Sequence, residues 1–162
     1  MNPSQTTKDL LHQLSIEFQE FTHPPVFTCE EAERLCPPMP GKKNKNLFLR
    51  DAKGKKYFLF SLAQDKRLSI QQMADIAGEK SLSFASERRL KEVLGIEPGS
   101  VGILALINDT QKLTTVFIDS DLLDPEWFQS HPLINTSTWC LKSEDVPRFL
   151  SATGHHVIII EN

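Results

Sequence analysis

The chain has 162 residues, a formal net charge of −3, and apolar and charged fractions that are ordinary for a globular protein. That length can bury a core without metals or disulfides, and it predicts one domain over residues 1–162. No apolar run approaches the roughly 20 residues of a membrane span, and the first residues lack the layout of a signal peptide. Three cysteines, an odd count without CxxC spacing, indicate a reduced, cytoplasmic protein. The composition therefore argues against membrane, secreted and disulfide-stapled classes.

The first half of the chain predicts helices that alternate with strands. Thr28 followed by Glu31 is a capping box that opens a short helix, because each side chain can satisfy a free backbone amide. Ser69 is the predicted cap of another helix, and Gly78 ends it. In chain order we predict a helix over 7–14, a strand over 17–22, a helix from 28 to about 35, strands over 46–50 and 56–61 in a hairpin with Gly54 at the turn, a helix over Ile70–Ala77 and a short extended segment at Leu82–Phe84.

The second half continues the alternation. Ser86 caps a helix over Glu87–Leu94 that ends at Gly95. Two apolar runs, 101–107 and 113–119, predict a second hairpin around residues 108–110. A strand near 137–141, a helix over 143–152 that ends at Gly154, and a last strand over 156–160 follow. About seven strands, several of them in hairpins, predict an α+β domain with a mixed, curved, barrel-like sheet surrounded by helices.

A single lysine stands at the start of an apolar strand. Lys45 follows a Pro-Gly loop and precedes Leu47, a position where a cation needs water or an anionic or carbonyl partner. Nine lysines and arginines lie between Lys42 and Arg67, against two aspartates, although the whole chain is slightly acidic. Such a local excess of positive charge predicts contact with a polyanion next to a lysine-bearing pocket.

The usual phosphate and nucleophile motifs do not occur. The sequence has neither GxGxxG nor GxxxxGK[ST], and no GxSxG elbow. Instead, four segments are polar where a plain domain needs only packing. They are residues 45–46, 82–86, 98–103 and 131–138.

Taken together, these segments resemble the YbaK/ProX family of aminoacyl-tRNA deacylases, in particular its freestanding prolyl-tRNA editing branch. The resemblance extends from about residue 12 to residue 160. The matching pieces, in the order of the family, are VFT at 26–28, KNLFLR at 45–50, KSLSFAS at 80–86, LG at 94–95 with PGSV at 98–101, LIND at 106–109, and HPLINT at 131–136. Each piece alone is weak evidence, but six in order are strong evidence.

The resemblance implies a trans-editing enzyme that hydrolyses the ester of mischarged tRNA(Pro), with alanine as the expected amino acid. Lys45 is the residue that the family implicates most consistently. An aminoacyl ester is already activated, so the site needs a positioned water and a polarised carbonyl more than a covalent nucleophile. A protonated lysine cannot be the general base, but it can neutralise a phosphate or donate to the carbonyl. No cofactor and no metal are implied.

Each predicted site residue has an expected role. With Lys45, the catalytic group is the glycine loop, whose N–H groups can hold the carbonyl oxygen or the water: Gly99, Ser100, Val101 and Gly102. The expected substrate-binding residues are Phe27, Asn46, Leu47, Ser83, Phe84, Ile103, His131 and Asn135. The expected contacts with the acceptor end of the tRNA are Lys42, Lys43, Arg50, Lys53, Lys55 and Lys56. Prolyl-tRNA synthetase or an elongation factor is a candidate delivery partner.

One departure from the family leaves the amino-acid specificity open. Related enzymes have a GxxxP loop here, and the spacing from Gly99 places Ile103 where proline is expected. Proline fixes φ and lacks an N–H, so its loss alters the stiffness of the loop and the size of the pocket. Two alternatives therefore remain: a non-catalytic module that binds tRNA or a synthetase, and a deacylase for another small amino acid.

Overall fold

The computed structural model describes residues 3–161, apart from the side chains of Pro3 and Cys29, and these residues form five α-helices and eight strands. The helices are α1 (Pro3–Gln13), α2 (Cys29–Leu35), α3 (Ile70–Ala77), α4 (Glu87–Leu94) and α5 (Val146–Thr153). The strands are β1 (Phe18–Thr22), β2 (Asn44–Asp51), β3 (Tyr57–Ala63), β4 (Leu82–Phe84), β5 (Thr114–Asp119), β6 (Trp127–Ser130), β7 (Ser137–Lys142) and β8 (Val157–Ile160). Short 3₁₀ helices span Ile103–Asn108, Ser120–Leu122 and Ser143–Asp145.

Local capping determines where the central helices begin and end. At the start of α3, the Ser69 side chain accepts from the Gln72 N–H, and the Gln72 side chain accepts in return from the Ser69 N–H. The Ser86 side chain caps α4 by accepting one hydrogen bond, from the N–H of Arg89. Gly78 and Gly95 end the two helices in the left-handed conformation. The predicted bounds of both helices are confirmed.

Two sheets make up the strand framework. The five-stranded sheet has the order β4-β2-β3-β5-β8, with antiparallel pairs at β4-β2-β3 and parallel pairs at β3-β5-β8. The three-stranded sheet, β1-β7-β6, is antiparallel throughout. An isolated parallel bridge between Lys42 and Phe128 connects the two sheets. The α+β class with a mixed sheet is therefore confirmed, and the barrel is not closed.

The predicted second hairpin is wrong. Residues Ile103–Asn108 form a 3₁₀ helix, and β5 pairs in parallel with β3 instead of turning back on the preceding segment. The side chains from Ile103 to Leu106 are all buried in the core. A short, continuous apolar run fits a fully buried helix as well as a buried strand, so its pattern could not separate the two. Strand β6 was not predicted.

Strand β2 separates two regions of the core. Phe48 belongs to the larger apolar cluster, whereas Leu49 belongs to a smaller cluster that includes Met73 of α3. Successive side chains of a strand point to opposite faces of a sheet, and the β2–β3 register has no bulge. Asn46 therefore lies on the Phe48 face of β2, and Lys45 lies on the Leu49 face. Within residues 3–161, no helix is long and apolar enough to cross a membrane.

Candidate active site

A cavity of about 550 Å³ opens beside the start of β2, close to the bridge between the two sheets. Its walls come from the segment before α2, from α2 and the proline-rich loop after it, from β2, from the glycine loop and from the β6–β7 region. The predicted site residues among its lining are Phe27, Lys43, Lys45, Asn46, Gly99, Val101 and His131. The fold thus brings together residues from four of the polar or family-matching sequence segments.

Lys45 is half-buried at this cavity and its ammonium is held in place. Its Nζ donates a hydrogen bond to the backbone carbonyl of Lys66. The Nζ of Lys66 lies 2.9 Å from Oδ1 of Asp119, whose side chain is fully buried. Burial alone would raise the pKa of Asp119, but the N–H of Ala63 and the ammonium of Lys66 hold that pKa below its ordinary value. The carbonyl that holds Lys45 is therefore part of a loop anchored by an ion pair.

Two asparagines and a glutamine line the side of the cavity nearest the sheet junction. Asn46 Nδ2 lies 3.1 Å from Asn44 Oδ1, and Asn44 Nδ2 lies 2.9 Å from the carbonyl oxygen of Gln129 on β6. The Gln129 side chain in turn donates to the carbonyl of Pro40 at 3.2 Å. The sequence did not predict Asn44 and Gln129 as residues of this cavity.

The glycine loop closes another wall of the cavity. Gly99 has a φ of +91°, and a Cβ there would lie 2.9 Å from the Phe27 ring and 3.2 Å from the carbonyl oxygen of Val26. Phe27 is 64% exposed at the mouth of the cavity. The N–H of Ser100 donates to the backbone carbonyl of Glu97. By contrast, the N–H groups of Gly99 and Val101 have no acceptor among the described residues of the protein. The two loop residues that line the cavity, Gly99 and Val101, thus have backbone donors that are free for a ligand.

His131 presents a neutral imidazole to the cavity. Its Nδ1 lies 3.3 Å from the carbonyl oxygen of Ser137, and since a carbonyl only accepts, Nδ1 is the donor. Burial lowers the pKa of His131, the Ser137 carbonyl partly opposes this, and His23 lowers the pKa further. The remaining ring nitrogen, Nε2, is therefore a hydrogen-bond acceptor at neutral pH.

The other predicted substrate and loop residues lie outside the lining. Leu47 packs against the smaller core cluster, and Ile103 is buried in the larger one. Ser83 and Phe84 on β4 pair with Arg50 and Leu49, at the opposite end of β2 from Lys45. Three further residues border the cavity without lining it: Ser100, Gly102 and Asn135.

The predicted tRNA contacts fall into two groups. Lys42 and Lys43 lie at the cavity end of β2, where Lys43 forms a 3.3 Å ion pair with Glu33. The second group lies at the other end of β2 and in the β2–β3 turn: Arg50, Lys53, Lys55 and Lys56. Lys56 is paired with Glu79 at 2.6 Å. At about 3.3 Å per residue, the length of β2 separates the groups by roughly 23 Å.

Cysteine and metal chemistry find little support at the cavity. Cys36 lines it, and burial raises the pKa of its thiol despite the nearby charge of Lys43. Burial raises the pKa of Cys140 to about 12. Neither thiol is thus activated as a nucleophile. Among the described side chains, which do not include that of Cys29, no three His, Cys, Asp or Glu side chains are grouped to hold a metal ion.

Comparison with known families places the chain in a class. The model of the aminoacyl-tRNA editing domain matches residues 23–149, a span that includes every residue lining the cavity. The chain belongs to the aminoacyl-tRNA editing domain family, and its enzyme class is therefore aminoacyl-tRNA hydrolase.

Individual relatives indicate which members of the family this chain is similar to. The chain is 33% identical over 161 residues to the prolyl-tRNA editing protein ProX of Acetoanaerobium sticklandii, covering 99% of this chain and 98% of that protein. It is 34% identical to prolyl-tRNA synthetase associated domain-containing protein 1 of Danio rerio, covering 94% of this chain and 84% of the relative. The crystal structure of a candidate trans-editing enzyme for prolyl-tRNA synthetase superposes with a TM-score of 0.71 at 18% identity, covering 100% of this chain and 98% of that one.

Proposed function

We propose that this chain is a freestanding deacylase of mischarged tRNA(Pro), and that alanine is the amino acid it removes. The observation that supports this most is the convergence of Lys45, Asn46, His131 and the glycine loop on one cavity. The names of the relatives, which refer to prolyl-tRNA editing and to prolyl-tRNA synthetase, favour tRNA(Pro) over other tRNAs.

The lysine and the free loop amides have complementary roles in this proposal. The Lys45 ammonium neutralises the phosphate of the terminal nucleotide, exchanging its bond to the neutral Lys66 carbonyl for a bond to an anionic oxygen. The N–H groups of Gly99 and Val101 receive the ester carbonyl oxygen, on which negative charge develops during attack. Glycine permits this close approach because it has no side chain.

A water molecule is the nucleophile in the proposed reaction. It attacks the ester carbonyl carbon while His131 Nε2 accepts one of its protons, since that nitrogen is neutral and unprotonated. The bond to the ribose oxygen then breaks, and the imidazolium returns the proton to that oxygen. The products are the free amino acid and an uncharged tRNA.

Selection of the amino acid is assigned to the walls of the cavity. A volume of about 550 Å³ is enough for a small ligand, so the terminal adenosine and the aminoacyl group can enter together. One missing methylene gives only about 1–3 kcal/mol of discrimination, so rejection of the larger proline requires steric exclusion. Three of the apolar lining residues, Ala32, Met39 and Val101, are assigned to that exclusion.

A deacylation assay tests the proposal. The purified protein is mixed with tRNA(Pro) charged with alanine, serine, threonine or proline, and release of each amino acid is followed. Release of alanine, with proline retained, is expected. Release of serine or threonine instead would indicate a deacylase for another small amino acid, and tRNA binding without any release would indicate a non-catalytic module.

The lysine has its own prediction in the same assay. Lys45→Ala is expected to lower kcat/KM by about 100-fold, the usual loss when one charge-stabilising donor is removed from a site. Lys91→Ala is the matched control, because Lys91 is paired with Glu97 at the same 3.3 Å as Lys43 with Glu33, but it neither lines the cavity nor belongs to the predicted tRNA contacts. Unchanged turnover of Lys45→Ala, with an unchanged Tm, would contradict the assigned role.

A further inference from the structure

Two successive hydrogen bonds fix the orientation of the Asn46 amide, and the first of them is accepted by a backbone carbonyl. The Gln129 carbonyl only accepts, so the amide nitrogen of Asn44 must face it, at 2.9 Å. Asn44 Oδ1 is then turned toward Asn46. Since that oxygen cannot donate, Asn46 must present its own nitrogen, at 3.1 Å. The oxygen of the Asn46 amide therefore faces away from Asn44.

That oxygen is an acceptor without a protein donor. Within residues 3–161, the side chain of Asn46 makes only the hydrogen bond to Asn44, and Asn46 lines the cavity. The neighbouring ammonium of Lys45 is on the opposite face of β2 and is bound to the Lys66 carbonyl. An unpaired amide oxygen at a ligand cavity calls for a hydrogen-bond donor on the ligand.

We propose that Asn44 is a positioning residue that makes Asn46 Oδ1 the acceptor for the free α-ammonium group of the substrate ester. This inference rests on the proposed function and adds to it how the free amine of the ester is recognised, which would separate aminoacyl esters from N-acylated esters such as peptidyl-tRNA. Both kinds of ester present the same carbonyl to water, so the carbonyl cannot distinguish them. An ammonium donates a charge-assisted hydrogen bond to Oδ1, whereas an N-acylated nitrogen is neutral and bulky.

The experiment compares two esters in one kinetic assay: alanyl-tRNA(Pro) and N-acetyl-alanyl-tRNA(Pro). The wild-type protein is expected to favour the free amine by about 10- to 100-fold in kcat/KM, the range for one hydrogen bond to a charged group. Asn44→Leu removes the orienting bonds and is expected to lose most of this ratio, by slowing the alanyl ester.

Asn108→Leu is the matched control for loss of an amide. Asn108 Nδ2 donates to the Leu94 carbonyl at 2.9 Å, the same length as the Asn44–Gln129 bond, and it lies outside the cavity lining. This control is expected to lower the Tm and to leave the ratio of the two esters unchanged. If Asn44→Leu does not fold, Asn46→Leu removes the acceptor oxygen directly and is expected to lose the same ratio.

Each remaining outcome is decisive. Equal wild-type rates on the two esters would overturn the inference and leave the proposed function intact. The inference would also be overturned if Asn44→Leu slowed hydrolysis of both esters by the same factor, because a purely structural role of Asn44 predicts that result. Failure to hydrolyse either ester would overturn the proposed function and this inference with it.

Discussion

Phe27 packs against the glycine loop because residue 99 has no Cβ. An added methyl group would meet the Phe27 ring at 2.9 Å and the backbone of Val26 at 3.2 Å, and the φ of +91° is already unfavourable for other residues. Gly99→Ala is therefore expected to lower the free energy of unfolding by about 2–3 kcal/mol, from backbone strain and steric clash combined. Urea unfolding gives the stability, and the deacylation assay shows whether the cavity mouth is altered.

Gly78→Ala separates the two causes of that loss. Gly78 has a φ of +75°, yet nothing lies within 4 Å of a Cβ built there. This variant should therefore show only the backbone strain, about 1 kcal/mol, and normal turnover. Equal losses in the two variants would mean that the contact with Phe27 does not restrict residue 99.

His131 allows a prediction of pH dependence. Its pKa lies below the ordinary value, chiefly because of burial, so the unfolded chain takes up the proton first as the pH falls. The stability that comes from keeping this ring neutral is thus complete above about pH 6.5 and is lost as the pH falls toward the folded pKa. At pH 5.5 the loss is at most about 1.4 kcal/mol.

Urea unfolding at pH 7.5 and pH 5.5 measures that loss. His131→Asn retains an amide donor for the Ser137 carbonyl but has no titrating ring, so its stability should change less between the two pH values. His156→Asn removes an exposed histidine and should behave like the wild-type protein. A His131→Asn variant that loses as much stability as the wild type would contradict a neutral, half-buried His131.

At the scale of helices and strands, the sequence predicted the local capping of a helix but not which neighbours a segment would have in the fold. Helices α3 and α4 were predicted with their bounds because the cap, its partner and the terminal glycine lie within one or two turns. The run 101–107 was assigned to a strand because apolar content does not reveal whether a neighbouring strand is available. Strand β3 already has β2 and β5 as its partners.

The site shows the same division between local and distant information. Lys45 and Asn46, which line the cavity, could be proposed from the sequence because polar residues at the start of an apolar strand are conspicuous. The role of Asn44 depends on a carbonyl 85 positions away, and the bond from His23 to Thr138 spans 115 positions. Ser83 and Phe84 were placed with the site from family order alone, whereas the antiparallel β2–β4 register carries them to the far end of β2.

On the scale of the whole molecule, the two groups of basic residues predict a direction in which a nucleic acid would dock. One group lies beside the cavity, and the other lies in the β2–β3 turn, roughly 23 Å away along β2. A nucleic acid whose 3′ end enters the cavity would need to run along this strand to meet both groups. Within residues 3–161, the ammonium groups of Lys53 and Lys55 form no ion pair, so they are available for phosphates.

The salt dependence of turnover tests this direction. Each phosphate contact adds about 0.9 to the slope of log affinity against log salt for a duplex, so the double variant Lys53→Gln/Lys55→Gln should reduce the slope of kcat/KM by up to about 2. The control is Lys8→Gln/Lys142→Gln, which removes the same charge from lysines paired with Glu20 and Glu126 in the three-stranded sheet region. Because both double variants change the net charge equally, a reduced slope only in the first locates the contact at the turn. Equal slopes in the two variants would instead mean that the turn lysines act through overall charge, and that the nucleic acid does not run along β2.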